Sequence, residues 1–127
     1  MSHFDVVVIG GGTAGMTVAK LCREAGARVC LVDRQRLGGD CLYTGCVPSK
    51  TLIASARVFH DVKHARSFGI EVTGASLNFP VVQQRVRDVI REIGQADTPE
   101  VFRDLGIEVI FGEVHFRSAH ELQVGAS

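Results

Sequence analysis

The chain has 127 residues, 14 basic and 14 acidic side chains and no formal net charge; 46% of it is hydrophobic and 6% aromatic. That length suits one modest domain or a piece of a larger one. The charge balance leaves no excess of Lys and Arg to meet a nucleic acid or an anionic membrane, the apolar content is too high for disorder, and no run approaches the ~18 apolar residues of a membrane span.

The opening carries no basic leader and no small-residue cleavage site before Val6, so no secretory signal is expected. Val6–Ile9 is a β-branched run that predicts a strand buried on both faces, as in a parallel sheet. Three glycines end it. From Thr13 to Ala25 the pattern predicts a helix with Ala14, Val18, Cys22 and Ala25 on its apolar face and Lys20, Arg23 and Glu24 away from it. Gly26 suits a left-handed stop. Val29–Val32 predicts a second buried strand, with Asp33 at its end, completing a βαβ unit. A helical composition runs from about Ser49 to Ser67, and Gly69 to Gly74 reads as a short strand or loop. Val82, Val86, Val89 or Ile90, and Ile93 form the stripe of an amphipathic helix ending near Gly94. Thr98 is a candidate N-cap before Pro99, opening a short helix to Leu105. Ile107–Phe111 predicts another buried strand, and Val114–Phe116 with Leu122–Val124 a small hairpin.

Gly10, Gly12 and Gly15 form a G-x-G-x-x-G turn between a predicted strand and a predicted helix, the context a dinucleotide fingerprint requires. The first glycine permits the tight turn, the second a close backbone approach to a pyrophosphate, and the third close helix–strand packing. Backbone N–H groups and the positive helix end then hold the anion. Asp33, about 20 residues past the turn, stands where a carboxylate accepts ribose hydroxyls. This pattern does not choose FAD over NAD, and the acid disfavours a 2′-phosphate.

Of the four cysteines, Cys22 and Cys30 fall on an apolar helix face and a strand and read as buried thiols. Cys41 and Cys46 lie among glycines and polar residues, as reactive cysteines do. Their four-residue gap is wider than metal knuckles use, yet short enough to close a disulfide. Cys46 stands just before a helical segment, whose N-terminus favours a thiolate there, and Lys50 adds a positive charge. Gly45 leaves room for a flat group to approach the sulfur. Four cysteines without a secretory signal imply a reducing compartment, and a cytoplasmic location is expected.

GGDCLYTGCVPSK, from Gly38 to Lys50, resembles the redox-active signature of the class I pyridine nucleotide-disulfide oxidoreductases, among them dihydrolipoamide dehydrogenase, mercuric reductase and glutathione reductase. The opening VVVIGGGTAG with Asp33, and the stretch from Leu105 to Val114, resemble the same family in the same order. The resemblance implies an α/β, Rossmann-like FAD-binding domain with a parallel sheet, incomplete in this chain, with residues 1–127 as its N-terminal portion. It implies FAD-binding positions at Ile9, Gly10, Gly12, Thr13, Ala14 and Gly15 around the pyrophosphate, Asp33 and Arg34 at the adenosine ribose, and Gly38, Gly39 and Asp40 along the phosphate and ribityl side. It further implies the backbone at Glu113 and Val114 by the adenine. Cys46 would be the flavin-facing, charge-transfer thiol, Cys41 the thiol that meets substrate, and Lys50 a neighbour of the flavin ring. NAD(P) would be the electron partner, bound by a domain not in this chain. The substrate would be a small-molecule or lipoyl-type thiol or disulfide, and the whole enzyme a homodimer. This chain by itself would lack NAD(P)H-linked turnover. Two residues depart from the family pattern. Asp33 replaces the usual glutamate, and Asp40 stands where many members carry threonine, placing a carboxylate near a phosphate.

A mercuric-reductase-like metal-ion reductase and a non-catalytic nucleotide-binding module are the alternatives. His60 and His64 are spaced i, i+4 but have no evident third ligand, so no metal site is expected. Arg85, Arg87 and Arg91 interleave with Asp88 and Glu92 and read as a solvated helix face. Tyr43, between the two cysteines, suits either loop packing or a channel wall.

Overall fold

The computed structural model describes residues 2–125; Met1, Ala126 and Ser127, the ends of the expected 1–127 domain, lie outside the described residues. Strands β1 (Val6–Ile9), β2 (Val29–Asp33) and β3 (Glu108–Phe111) form a parallel sheet in the order β1-β2-β3. Val6 pairs with Val29, and Cys30 with Glu108. Helix α1 (Thr13–Glu24) joins β1 to β2. The chain is α/β with a Rossmann-like βαβ start, as the β-branched runs and the glycine turn predict.

Only β2, the central strand, is buried on both faces, with Val29, Cys30, Leu31 and Val32 all at 2% exposure or less. The expectation of full burial fails for β1, where Ile9 is 50% exposed, and for β3, where Glu108 and Phe111 reach solvent. Both are edge strands, and a continuous apolar run does not reveal its place in a sheet. On one face, Val29, Leu31 and Val109 pack with Met16 and Ala19 of α1 and with Phe102 of α5 (Pro99–Asp104). On the other, Val7, Cys30, Val32 and Ile110 line a cavity of about 330 Å³ beneath Leu122 and Val124. Those two residues belong to β5 (Leu122–Gly125), which pairs antiparallel with β4 (Glu113–Phe116) in the expected hairpin.

The apolar face expected for α1 is displaced. Ala14, Val18 and Ala25 are exposed, and the contact runs instead through Gly15, Met16, Ala19 and Cys22. Small residues let this helix sit close to the sheet, whereas the larger apolar side chains dominate a periodicity count. Lys20 and Arg23, expected to point away, are half-buried. The Lys20 ammonium lies 4.7 Å from the Phe102 ring centroid, and Arg23 Nε donates to the Leu105 carbonyl at 3.2 Å.

Two further helices, α3 (Cys46–His64) and α4 (Phe79–Gly94), pack together beside the sheet. Asn78 caps α4 by accepting from the Val81 N–H at 3.3 Å, and Val82, Val86, Val89 and Ile90 turn inward. Ile93, expected in that stripe, is 44% exposed. Helix α3 starts three residues before the expected Ser49 and gives way to a 3-10 turn at Ala65–Phe68; residues 69–74 are irregular. Thr98 caps α5, accepting from Val101 N–H at 3.4 Å, as expected. One element was not foreseen: a one-turn helix α2 over Gly39–Tyr43.

Phe102 is wholly buried at the centre of the α1–sheet contact. Phe102→Ala removes that ring and leaves a cavity. The expected loss is about 3–5 kcal/mol of unfolding free energy, measured by urea denaturation followed by circular dichroism.

Candidate functional site

Parallel strands end together, so their carboxyl ends bring distant segments to one edge. Ile9, Asp33 and Phe111 are the last residues of β1, β2 and β3. The glycine turn leaves β1 there, the loop to α2 leaves β2, and Gly112 leads from β3 into Glu113 and Val114.

Asp33 ties these three exits. Its Oδ2 accepts the Gly11 N–H at 2.7 Å. Its Oδ1 accepts the N–H groups of Gln35 at 2.8 Å and Arg36 at 3.0 Å. Its carbonyl accepts the Gly112 N–H at 2.9 Å. Burial raises the carboxyl, but the three amide hydrogen bonds outweigh that and, with the nearby Arg34 charge, hold it below the ordinary carboxylate range. Gly11, Gln35 and Arg36 were not among the expected site residues. An aspartate that ends a strand and bonds the amides two and three residues on is a turn signal that the sequence does contain.

The glycine turn then meets the cysteine segment. Gly38 N–H donates to the Gly11 carbonyl at 2.8 Å. A Cβ on Gly39 would stand 2.7 Å from the Gly12 Cα, so this approach needs glycine at 39. A Cβ on Gly15 would overlap the Gly10 carbonyl oxygen and sit 3.3 Å from Val8, which makes Gly15 the helix–strand packing position. Gly12, by contrast, is open. A Cβ there would meet only the Gly39 Cα, at 3.9 Å. Helix α1 has no side-chain cap and no acid in its first turn, so its N-terminal amides at Thr13 and Ala14 face outward without a built-in anion.

Cys41, in α2, and Cys46, the first residue of α3, are free thiols in side-chain contact. The other two cysteines stay apart from this site. Cys30 is buried, and burial, helped by Glu108, pushes its thiol up to about 11. Gly45, expected to leave room beside the Cys46 sulfur, is also a packing position. Its Cα packs on α2, where a Cβ would stand 3.0 Å from the Asp40 carbonyl oxygen and 3.4 Å from the Cys41 Cα. That close packing is what brings the two sulfurs together.

The two thiols shift each other in opposite directions. The Cys46 thiol donates to Cys41, and this first of all lowers the Cys41 thiol below its ordinary value, with the Thr13 hydroxyl and Lys50 adding to it. The same bond, and the Cys41 charge, raise Cys46. Lys50 favours the anion on both sulfurs, at Cys46 as expected and at Cys41 beside it. Protons leave such a pair as a unit.

Asp33, Arg34, Gly39, Asp40 and Tyr43 line a cleft of about 280 Å³ beside this pair. Glu113 and Val114 do not line it; they begin the hairpin beyond Gly112. Lys50 is exposed on α3. His60 and His64 stack, with ring centroids 4.0 Å apart, and no cluster of three metal-ligating side chains occurs among the described residues. Among those residues, no helix is long and apolar enough to cross a membrane. The arginine face of α4 is solvated as expected, with Arg91 paired to Asp88 and Arg87 bonded to Gln84.

The glycine turn at the end of β1, the acid at the end of β2 and the two cysteines against the turn thus bring together the two motifs singled out in the sequence. The chain belongs to the pyridine nucleotide-disulphide oxidoreductase family, whose profile matches residues 4–123, the class expected from Gly38–Lys50. It is 42% identical over 92 residues to a dihydrolipoyl dehydrogenase of Bacillus subtilis, covering 72% of this chain and 19% of that protein. It is 37% identical over 122 residues to the dihydrolipoyl dehydrogenase of Chlamydia pneumoniae, covering 96% of this chain and 26% of that one. The chain thus spans about a fifth to a quarter of the length of these relatives.

Two outcomes are expected. In the reduced chain, the alkylation rate of Cys41, mapped by mass spectrometry, half-saturates at a lower pH than an ordinary thiol, and Cys46→Ala moves that midpoint upward. Asp33→Asn lowers stability by about 1–2 kcal/mol near neutral pH, the low end for bonds to a partly solvated charged acceptor. Because the folded carboxyl titrates below its unfolded value, that contribution is present above the unfolded value and vanishes as pH falls through the folded one. Urea melts of both proteins therefore converge on acidification.

Proposed function

We propose that this chain is the FAD-binding, redox-disulfide part of a dihydrolipoamide-dehydrogenase-like oxidoreductase. The observation that carries the reading is the Cys41–Cys46 pair held beside the open glycine turn by the contact between Gly12 and Gly39. The donor set suits FAD. The α1 amides at Thr13 and Ala14 and the open backbone of Gly10 and Gly12 would meet the pyrophosphate. Asp33 has one Oδ2 lone pair beyond its three amide bonds, free for a ribose hydroxyl. Ile9 and Arg34 flank these groups, and the backbone at Glu113 and Val114 would meet the adenine.

When bound, FAD supplies two-electron exchange between a nicotinamide hydride and a disulfide. The chain's own part is thiol chemistry. Two electrons and one proton open the Cys41–Cys46 bond to one thiol and one thiolate. The Cys41 thiolate attacks a substrate disulfide, forms a mixed disulfide and expels one substrate thiolate. Cys46, losing its proton, then attacks the Cys41 sulfur, expels the second substrate thiolate and restores the intramolecular bond. Run backward, the same steps oxidise a substrate dithiol of lipoyl type. Lys50 favours the anionic forms of both sulfurs. NAD(P) as electron partner is supported by the family and by the names of the relatives; a homodimeric whole enzyme and a cytoplasmic location complete the proposal.

Titration with FAD tests this, with the dithiol reduced and then oxidised by diamide. The wild-type chain should bind FAD, and oxidation of the pair should change the flavin's visible absorbance; the change should be absent in Cys46→Ala. Gly12→Ala should fold normally, since its extended backbone accepts a side chain, yet bind FAD at least about ten-fold more weakly, a loss of 1.4 kcal/mol. Binding in which thiol oxidation leaves the spectrum untouched would favour a nucleotide-binding module without redox function.

A further inference from the structure

The cleft beside Asp33 has an outer wall that the reaction does not use. Arg36 lies in the loop between β2 and α2, and Tyr43 is the last residue of α2. The Arg36 guanidinium sits 3.5 Å from the Tyr43 ring centroid. No carboxylate pairs with Arg36 among the described residues, so the ring is the partner that holds this cation. The backbone N–H of Arg36 donates to Asp33 Oδ1, so the same residue joins the ribose acid to the cysteine helix. Gly38, between them, has φ +107, and a Cβ there would stand 3.1 Å from Tyr43 Cε2. The loop is thus tied at Asp33, at the Gly11–Gly38 hydrogen bond and, across its outer side, by the stack.

We propose that Arg36 and Tyr43 are positioning residues for the nucleotide: stacked on each other, they fix the 34–38 loop to α2 and hold the Asp33 wall of the cleft at a set distance from its Gly39–Asp40 wall. The proposal rests on the reading above for the identity of the ligand. It assigns Tyr43 to the cleft wall and not to simple loop packing. It also implies that Arg36 serves through its stack and leaves the pyrophosphate to the α1 amides.

Fluorescence titration with FAD, together with amide hydrogen exchange at Gln35 without flavin, tests it on the full chain. Tyr43→Ala and Arg36→Ala should each weaken FAD binding and speed Gln35 exchange about two- to five-fold, the range of a partly exposed cation–π contact. Tyr43→Phe should keep wild-type values. The double variant should lose no more than either single one, since both remove the same contact. Unchanged or tighter FAD binding in Tyr43→Ala, or losses that add in the double variant, would overturn the proposal. If the wild-type chain bound no FAD, the preceding reading would fall, and exchange would decide the clamp. Faster exchange in both alanine variants would support it, and unchanged exchange would end it.

Discussion

Asp33 ties together three chain segments at the carboxyl edge of the sheet. Each strand of a parallel sheet ends at the same edge, but the loops beyond the ends are free to diverge. Asp33 draws in the glycine turn through Gly11 and the following loop through Gln35 and Arg36, while its carbonyl holds Gly112. The three bonds to its carboxylate are charge-assisted and therefore stronger than neutral ones. An aspartate has one methylene fewer than glutamate, so its oxygens stay close to its own backbone. That shortness suits capping of local amides, and the residue proposed to meet a ribose also builds the walls around it.

From this hub the cysteine pair follows by contact. The Gly11–Gly38 hydrogen bond places Gly39 on Gly12, and α2 then presents Cys41 beside the first residue of α1. Gly45 lets α3 begin against α2 and delivers Cys46 to the same point. Both contacts are backbone on backbone, and at Gly39 the spacing leaves no room for a side chain. The chemistry of the pair therefore rests on glycines that carry no chemistry themselves.

Much of this was legible in the sequence, and the reasons differ by feature. The βαβ start was readable because β-branched runs, a glycine turn and a helical period follow in order. Thr98 lies at a helix start that Pro99 marks. The face of α1 was misread because Gly15 and Ala19 contribute closeness and not hydrophobicity. The edge positions of β1 and β3 were hidden because strand order is a tertiary fact. Helix α2 escaped notice because a single turn has no period to detect. The placing of Cys41 beside Cys46 was implied by spacing, but the close packing of Gly39 on Gly12 that seats the pair at the glycine turn is a tertiary contact that no one-dimensional pattern encodes.

Charge in the cleft sharpens the last point. Its lining holds two acids, Asp33 and Asp40, and two arginines, Arg34 and Arg36, so formal charge balances. One guanidinium is engaged by Tyr43 and one carboxylate by three amides. Asp40, where a carboxylate would repel a phosphate, sits in the first turn of α2, close to both arginines in the lining. Net charge therefore gives no pull on a pyrophosphate here. What remains is oriented: the outward N–H groups at the start of a twelve-residue helix and a turn left open by glycine. Recognition of an anion by fixed dipoles, in a lining of balanced charge, makes binding depend on the geometry of the turn and its neighbouring loop, so a group that only holds that loop still controls what the cleft accepts.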